Sequence, residues 1–330
     1  EGGDAGSWAF IPNGYLSWAI AKDVYAGVGF GAPFGLVTEY DNPWLGGAHA
    51  LKFDIKTYNI NPSIALKATE MVSIGAGISI QRMEVEYSRL AAVASPALAS
   101  TKAVLSAGDT SWGWNVGALF TVSPSTKVGV SYRSKIRHTL EGDLSVRGPA
   151  QGASAALTSG SAKAFVELPD TFILSVAQQL NDKWEMLGDV SWTGWSSIDK
   201  VDIVRTSGAL SGRTVQTLDT AFRDSWRYAL GANYRFSDTL KLKFGVAYDQ
   251  TPVPDTAHRL VSLPDANRTW LTTGAQIKLD KASTVDLGAA YIQVSESHID
   301  NRQASLGRGD VKGVYDARVW ILGAQYSMAF

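Results

Sequence analysis

The sequence predicts an all-β chain wound as a transmembrane antiparallel up-and-down β-barrel, and three observations carry that expectation. From Trp8 onward the chain divides into runs of roughly ten to twenty residues in which apolar and polar side chains alternate with period two. The connections between runs are short and long in turn, as they are where strands cross a bilayer with tight turns on one side and loops on the other. No stretch is apolar for long enough to cross as a helix, although 45% of the 330 residues are hydrophobic and only 18% charged.

Composition narrows the function as well. With 11 Trp, 12 Tyr and 11 Phe the chain is too aromatic for a disordered or low-complexity segment. Thirty Lys and Arg against 31 Asp and Glu leave a net charge of −1, so no basic excess points to nucleic acid. The absence of cysteine removes disulfides, thiolate metal sites and cysteine nucleophiles together. His49, His138, His258 and His298 are scattered, with no pair at ligand spacing. No glycine-rich phosphate loop opens a helix, and no nucleophile elbow is present, so neither catalysis, a metal nor a cofactor is expected. A barrel hydrolase stays open as a minor reading, separable by chromogenic esters.

The elements follow in order. Short turns are expected at Lys22-Asp23, Thr69 to Met71, Ser123 to Thr126, Asn181 to Lys183, Ser237 to Thr239 and Asp280 to Ser283. Long connections are expected at 39–48, 91–108, 147–161, 206–222, 251–266 and 301–311. The count is about thirteen strands, many longer than the ~9 to 11 residues that cross a bilayer, so a collar should stand above the membrane. Between Lys127 and Leu140, Val128, Val130, Tyr132, Ser134 and Ile136 share one face, opposite Lys127, Arg133, Lys135 and Arg137. Further on, Trp226, Tyr228, Leu230, Tyr234 and Phe236 oppose Arg223, Arg227 and Arg235, and Leu242, Phe244 and Val246 oppose Lys241 and Lys243. Charge facing lipid costs roughly 2 to 4 kcal/mol at mid-bilayer, so the charged faces are oriented inward. Aromatics at the ends of the apolar faces should form interfacial girdles. In the segment 91–107, rich in Ala, Val and Leu, short amphipathic helices are expected after Pro96. A soluble tandem sandwich would carry its polar face outward and lack the regular alternation of loop length.

Several segments, taken together and in order, resemble the FadL family of outer-membrane channels for long-chain fatty acids and other hydrophobic compounds, including aromatic hydrocarbons. They are Gly3-Asp4-Ala5-Gly6 with Ile11-Pro12-Asn13, Ala32 to Tyr40, Asn61-Pro62-Ser63, Tyr132-Arg133-Ser134, Phe222-Arg223-Asp224, Thr251 to Pro254 and Leu263 to Leu271. The C-terminal run ending in Phe330 is similar to the signal read by the barrel-assembly machinery. The resemblance implies a fourteen-stranded barrel plugged by an N-terminal hatch, here a single domain over 1–330 with the hatch and first strand missing. It implies a monomer in the bacterial outer membrane, in contact with its lipid.

The resemblance also implies passive uptake: binding at the outer loops, transfer to a lumen pocket, and sideways exit where a kinked strand opens the wall. The kink falls on Ala32, Pro33, Phe34 and Gly35, since Pro33 deletes a ladder hydrogen bond inside an alternating run. An ordinary bulge is the plainer reading. Arg133, Arg223 and Arg227 are candidates to hold a substrate carboxylate, for which the planar guanidinium is suited. Pairing of such arginines with Asp189, Asp224 or Glu167 is the alternative. At the level of function, an aromatic or alkane channel and an adhesin acting through its outer loops stay open.

Overall fold

A computed structural model describes residues 2–330. Twenty strands are present among them: β1 (Gly14–Ala21), β2 (Val24–Gly31), β3 (Gly35–Glu39), β4 (Lys52–Lys67), β5 (Val72–Leu90), β6 (Lys102–Ser123), β7 (Thr126–Arg133), β8 (Ile136–Arg147), β9 (Gly160–Leu168), β10 (Thr171–Gln179), β11 (Trp184–Thr193), β12 (Lys200–Arg205), β13 (Thr214–Asp219), β14 (Ser225–Arg235), β15 (Leu240–Asp249), β16 (Arg268–Lys278), β17 (Ser283–Val294), β18 (Ser297–Arg302), β19 (Asp310–Tyr315) and β20 (Arg318–Met328). Eighteen form one antiparallel sheet, and β18 with β19 makes a separate hairpin. Several strands are broken runs: β2 and β3 both pair with β4, and β7 and β8 both pair with β6.

β4 shows why the wall stands as it does. Its odd residues turn inward, apolar at one end (Phe53, Ile55) and polar towards the other (Asn59, Asn61, Ser63), with Thr57 between. Its even residues change the opposite way, from Lys52, Asp54 and Lys56 to the exposed Tyr58, Ile60, Ile64 and Leu66. β5 and β6 change at the same height: outward Arg82 and Glu84 give way to Ile80, Ile78 and Ile74, and outward Thr110 to Trp112, Trp114 and Val116. The lower wall thus shows lipid an apolar face around a polar interior. The upper wall is built like a water-soluble protein, with its hydrophobic core inside.

This inversion corrects one expected face. Lys127 to Leu140 does not keep a single orientation, because the pairing sum of β6 with β8 is one residue greater than with β7. The break at Ser134 and Lys135 absorbs that residue and turns the strand over. Below it Val128, Val130 and Tyr132 keep the expected face. Above it Ile136 is buried at 3% exposure, while Arg137 points outward and pairs with Glu167. A collar strand in water gains by turning its apolar side in, which is the opposite of the lipid rule.

The expected loops are also trimmed. β13 lies inside the expected connection 206–222, and β6 already begins at Lys102. The expected helices after Pro96 are absent, since 91–101 folds as turns closed by hydrogen bonds from Ser95 N–H to Ala92 O and from Leu98 N–H to Ser95 O. About ten residues anchored at both ends leave too little chain to nucleate and propagate a helix.

At the collar the first and last parts of the chain meet. Tyr40 Oη donates to Val261 O (2.6 Å), Thr38 Oγ1 donates to Ser262 O (3.1 Å), and the hydroxyls of Tyr40 and Tyr315 lie 3.4 Å apart. Lower down, β1 pairs with β2 and β20 with β17, and among the described residues the outer edges of β1 and β20 pair with nothing further. Both strands are exposed along almost their whole length.

Candidate functional site

Ala32 to Gly35 interrupts the strand made by β2 and β3. Gly31 lies opposite Asn59 and Gly35 opposite Lys56, so three residues on this strand face two on β4, a one-residue bulge. Thr57, at 1% exposure, fills the place of the lost ladder. Its hydroxyl accepts from Phe34 N–H (2.9 Å) and donates to Phe34 O (2.6 Å), and its own N–H also donates to Phe34 O (3.2 Å). The N–H and C=O of Phe34 are therefore satisfied from the wall by Thr57, which lowers the cost of breaking the ladder there.

On its other side the strand loses its partner. β1 stops pairing with β2 at Gly14 opposite Phe30, and backbone contact resumes only where Glu39 N–H donates to Ala5 O and Asp41 N–H to Gly2 O. Among the described residues no backbone hydrogen bond joins 7–13 to 31–38, and this leaves a slit. Its first rim carries Trp8 and Phe10, 94% and 92% exposed, and its second carries Pro33.

Two cavities meet at the bulge. The first, about 170 Å³, is enclosed by apolar side chains, among them Phe34, Ile55, Met83, Leu140, Trp195 and Phe222. Its lining has no charged residue. Phe34 meets Trp195 edge-on at 5.9 Å, and Trp195 meets Phe222 edge-on at 6.1 Å. Trp195 sits in the interruption between β11 and β12, and Phe222 in that between β13 and β14, so broken strands turn these rings inward. The second cavity, about 510 Å³, reaches the bulge at Ala32 and Pro33 and is lined also by Asn59, Asn61, Ser63 and Arg133, among others. A third, about 690 Å³, lies in the collar and shares Tyr87, Leu105 and Ile203 with the first.

The arginines singled out in the sequence separate. Arg133 ends β7, faces the polar cavity beside the bulge, and forms no ion pair among the described residues. Arg223 is not on a strand as expected. It is exposed in the interruption before β14, where its N–H donates to Pro252 O (2.9 Å), because the chain there breaks to bring Phe222 inward. Arg227 stands over the ring of Trp270, 5.3 Å from its centroid. The carboxylates considered as partners are used elsewhere: Glu167 by Lys135 and Arg137, Asp189 by Ser175, and Asp224 by the N–H of Ser196.

A wall that is apolar outward below and charged outward above, broken by a bulge, can be set beside known proteins. The family model described as outer membrane protein transport protein (OMPP1/FadL/TodX) matches residues 1–330. The chain belongs to this family. It is an outer-membrane transport protein and not an enzyme. It is 26% identical to a long-chain fatty acid transport protein of Salmonella typhi, over 98% of this chain and 77% of that one. It is 27% identical to outer membrane protein P1 of Haemophilus influenzae, over 88% and 67%. Among solved structures, a FadL homologue of Pseudomonas aeruginosa superposes with a TM-score of 0.90 at 25% identity, covering 99% of this chain and 80% of that one. The toluene transporter TbuX of Ralstonia pickettii gives 0.70 at 16% identity, over 99% and 83%, a likeness of fold.

Sequence reasoning passed over Trp195 and Thr57 and quoted Phe222 only within a resembling segment. For the two aromatics a signal existed, a ring next to Gly194 or two residues before Asp224 where the alternation fails. Thr57 carried none, since a threonine inside a strand is unremarkable until the strand opposite it bulges.

Proposed function

We propose that this protein takes up hydrophobic small molecules passively across the outer membrane, long-chain fatty acids first among them. The molecule enters at the collar, lodges in the apolar cavity, passes Phe34, and leaves sideways through the slit beside Ala32 to Gly35. The observation that carries this reading is the bulge at Phe34, where an apolar cavity, a polar cavity and an unpaired stretch of wall adjoin. Relatives named for fatty acid transport support the substrate class. Arg133, beside the bulge and without an ion pair, is the lower station for an acidic head group. Arg227 and Arg223 have the weaker claim, one held over Trp270 and the other out on the surface.

The bare edges of β1 and β20 are read as the place of one further strand, which would complete a fourteen-stranded barrel, with a hatch inside it. The chain then acts as one domain and as a monomer, surrounded by lipid and assembled through the strand ending at Phe330.

A second reading, a channel for neutral hydrocarbons, draws on the absence of charge in the apolar cavity. Whole-cell uptake of oleate and of toluene tests both. Deleting Pro33, which takes out the extra residue and restores straight pairing with β4, is expected to lower uptake of the true substrate several-fold while surface binding persists. Unchanged uptake would mean that the slit is not the exit.

A further inference from the structure

The apolar cavity borders a second unpaired stretch of wall, several strands away from the slit. β9 pairs with β12 only from Ala162 opposite Arg205 to Ala164 opposite Ile203. Backbone contact resumes where Gly194 N–H donates to Asp170 O (3.0 Å). Between these ties five residues, 165–169, face eight, 195–202, with no strand pairing, and the three in excess fold as the 3-10 turn Trp195–Ser197. Among the described residues one side-chain hydrogen bond crosses the gap, from Ser197 Oγ to Glu167 O (2.8 Å). Both rims are held from behind, β9 by its ladder with β8 down to Leu168 opposite Ile136, and β12 by its ladder with β13 from Lys200 opposite Asp219. The gap is thus an interval between two fixed edges.

Side chains close this interval in place of backbone. Val166 and Leu168 from one rim, and Trp195, Ile198 and Val201 from the other, all line the apolar cavity. Parting them takes rotamer changes and the loss of one hydrogen bond, whereas parting a ladder breaks a row of them. On the outside, Tyr132, Phe172, Trp192 and Trp226 lie opposite one another in a row just below the gap, an aromatic girdle of the kind that marks the edge of the hydrocarbon. The outward residues at the rims are charged: Glu167 is held by Lys135 (3.0 Å) and Arg137, with Lys200 and Asp202 opposite. The gap therefore opens in the head-group layer, where unpaired backbone meets water and polar groups and not hydrocarbon. Phe165 stands on its outer rim, 55% exposed, with Lys163 Nζ 5.3 Å from its ring centroid. Among the described residues it is the one large apolar side chain exposed on β8, β9, β12 or β13.

We propose that this gap is an entrance: hydrophobic molecules dissolved in the outer leaflet pass Phe165 sideways into the apolar cavity as Trp195 swings aside, without crossing the aqueous mouth of the collar. This deepens the uptake reading and rests on it, naming the membrane as the source of the substrate. The inner rims carry no charge, so the entrant moves among apolar side chains from the girdle inward. Trp195 also meets Phe34 edge-on, so the ring that fills the entrance touches the bulge beside the slit. Entry and exit are then two openings of one cavity.

The chain has no cysteine, so thiols placed on the rims are its only ones. Glu167→Cys with Ser197→Cys, bridged by a short bis-methanethiosulfonate and later released by reductant, is assayed for oleate uptake in whole cells. The control is Arg82→Cys with Thr110→Cys, bridged across the intact ladder of β5 and β6. Bridging the gap is expected to lower uptake several-fold and release to restore it, while the control bridge changes nothing. Phe165→Cys, plugged with a bulky maleimide, should show the same loss, and it serves if the double variant does not assemble. Its thiol also reports the source, since it should react with a maleimide anchored in the outer leaflet. Reaction with a water-soluble maleimide alone would put the gap out of the leaflet's reach and overturn the proposal. Uptake undiminished by bridge and plug would overturn it too, while leaving uptake standing. If the unaltered protein takes up no oleate, the uptake reading falls and the entrance with it.

Discussion

Thr57 is the residue on which the bulge depends. Replacing it with valine keeps the volume and removes the partner of Phe34 N–H. The expected loss is about 1 to 3 kcal/mol, read as a lowered urea midpoint, with Thr57→Ser close to the parent. His49 gives a pH dependence. Its Nε2 lies 3.0 Å from Gly309 O, so the neutral ring donates there. Burial is the largest influence and, with Arg308 and Arg89 nearby, holds its pKa below the usual histidine value, against the opposing pull of Gly309 O and Asp310. The unfolded chain therefore takes up the proton first as pH falls. The stabilisation is complete above about pH 6.5 and declines as pH drops from there towards the lowered folded value. Hydrogen exchange over 303–309 should accelerate in that window, and His49→Gln should abolish the dependence. Neither residue announces its role in sequence, because each acts on backbone far along the chain, Thr57 on Phe34 and His49 on Gly309.

Among the strands, the inversion of polarity with height decides which substitutions matter. Ile78→Lys places a charge in the lipid band and is expected to cost about 2 to 4 kcal/mol, whereas Thr110→Lys, above the band, should be near neutral. Urea unfolding in vesicles of defined thickness measures both. Much of this scale was legible beforehand: period-two alternation located most strands, and the tight turns fell between β1 and β2, β4 and β5, and β6 and β7. The alternation of β4 even contains the inversion, from Lys52, Asp54 and Lys56 to Tyr58, Ile60 and Ile64. A single rule that charge faces inward hid it, because that rule holds only where the outside is lipid. The turnover at Ser134 and Lys135 was not legible, since one extra residue leaves the alternation intact and changes only its meaning.

For the whole molecule, the family and the meander were legible because they rest on patterns spread along the chain, while the cavities were not, because they join residues from many strands. Leu140, Met83 and Leu168 meet only once β5, β6, β8 and β9 stand in order in the folded sheet. The slit has one property of its own. Gly14 opposite Phe30 and the bond from Glu39 N–H to Ala5 O keep one register across it, the shift by a residue coming only beyond, at Asp41 N–H to Gly2 O, so both ends are tied. It cannot run like a dropped stitch. Seven residues at no more than about 3.3 Å each hold its length to about 23 Å at most, and its width is the dimension that can yield. On the proposed route of uptake, a seam of that kind would sort molecules by girth rather than by length, passing a slender flexible chain whatever its number of carbons and holding back a branched or globular molecule of the same mass.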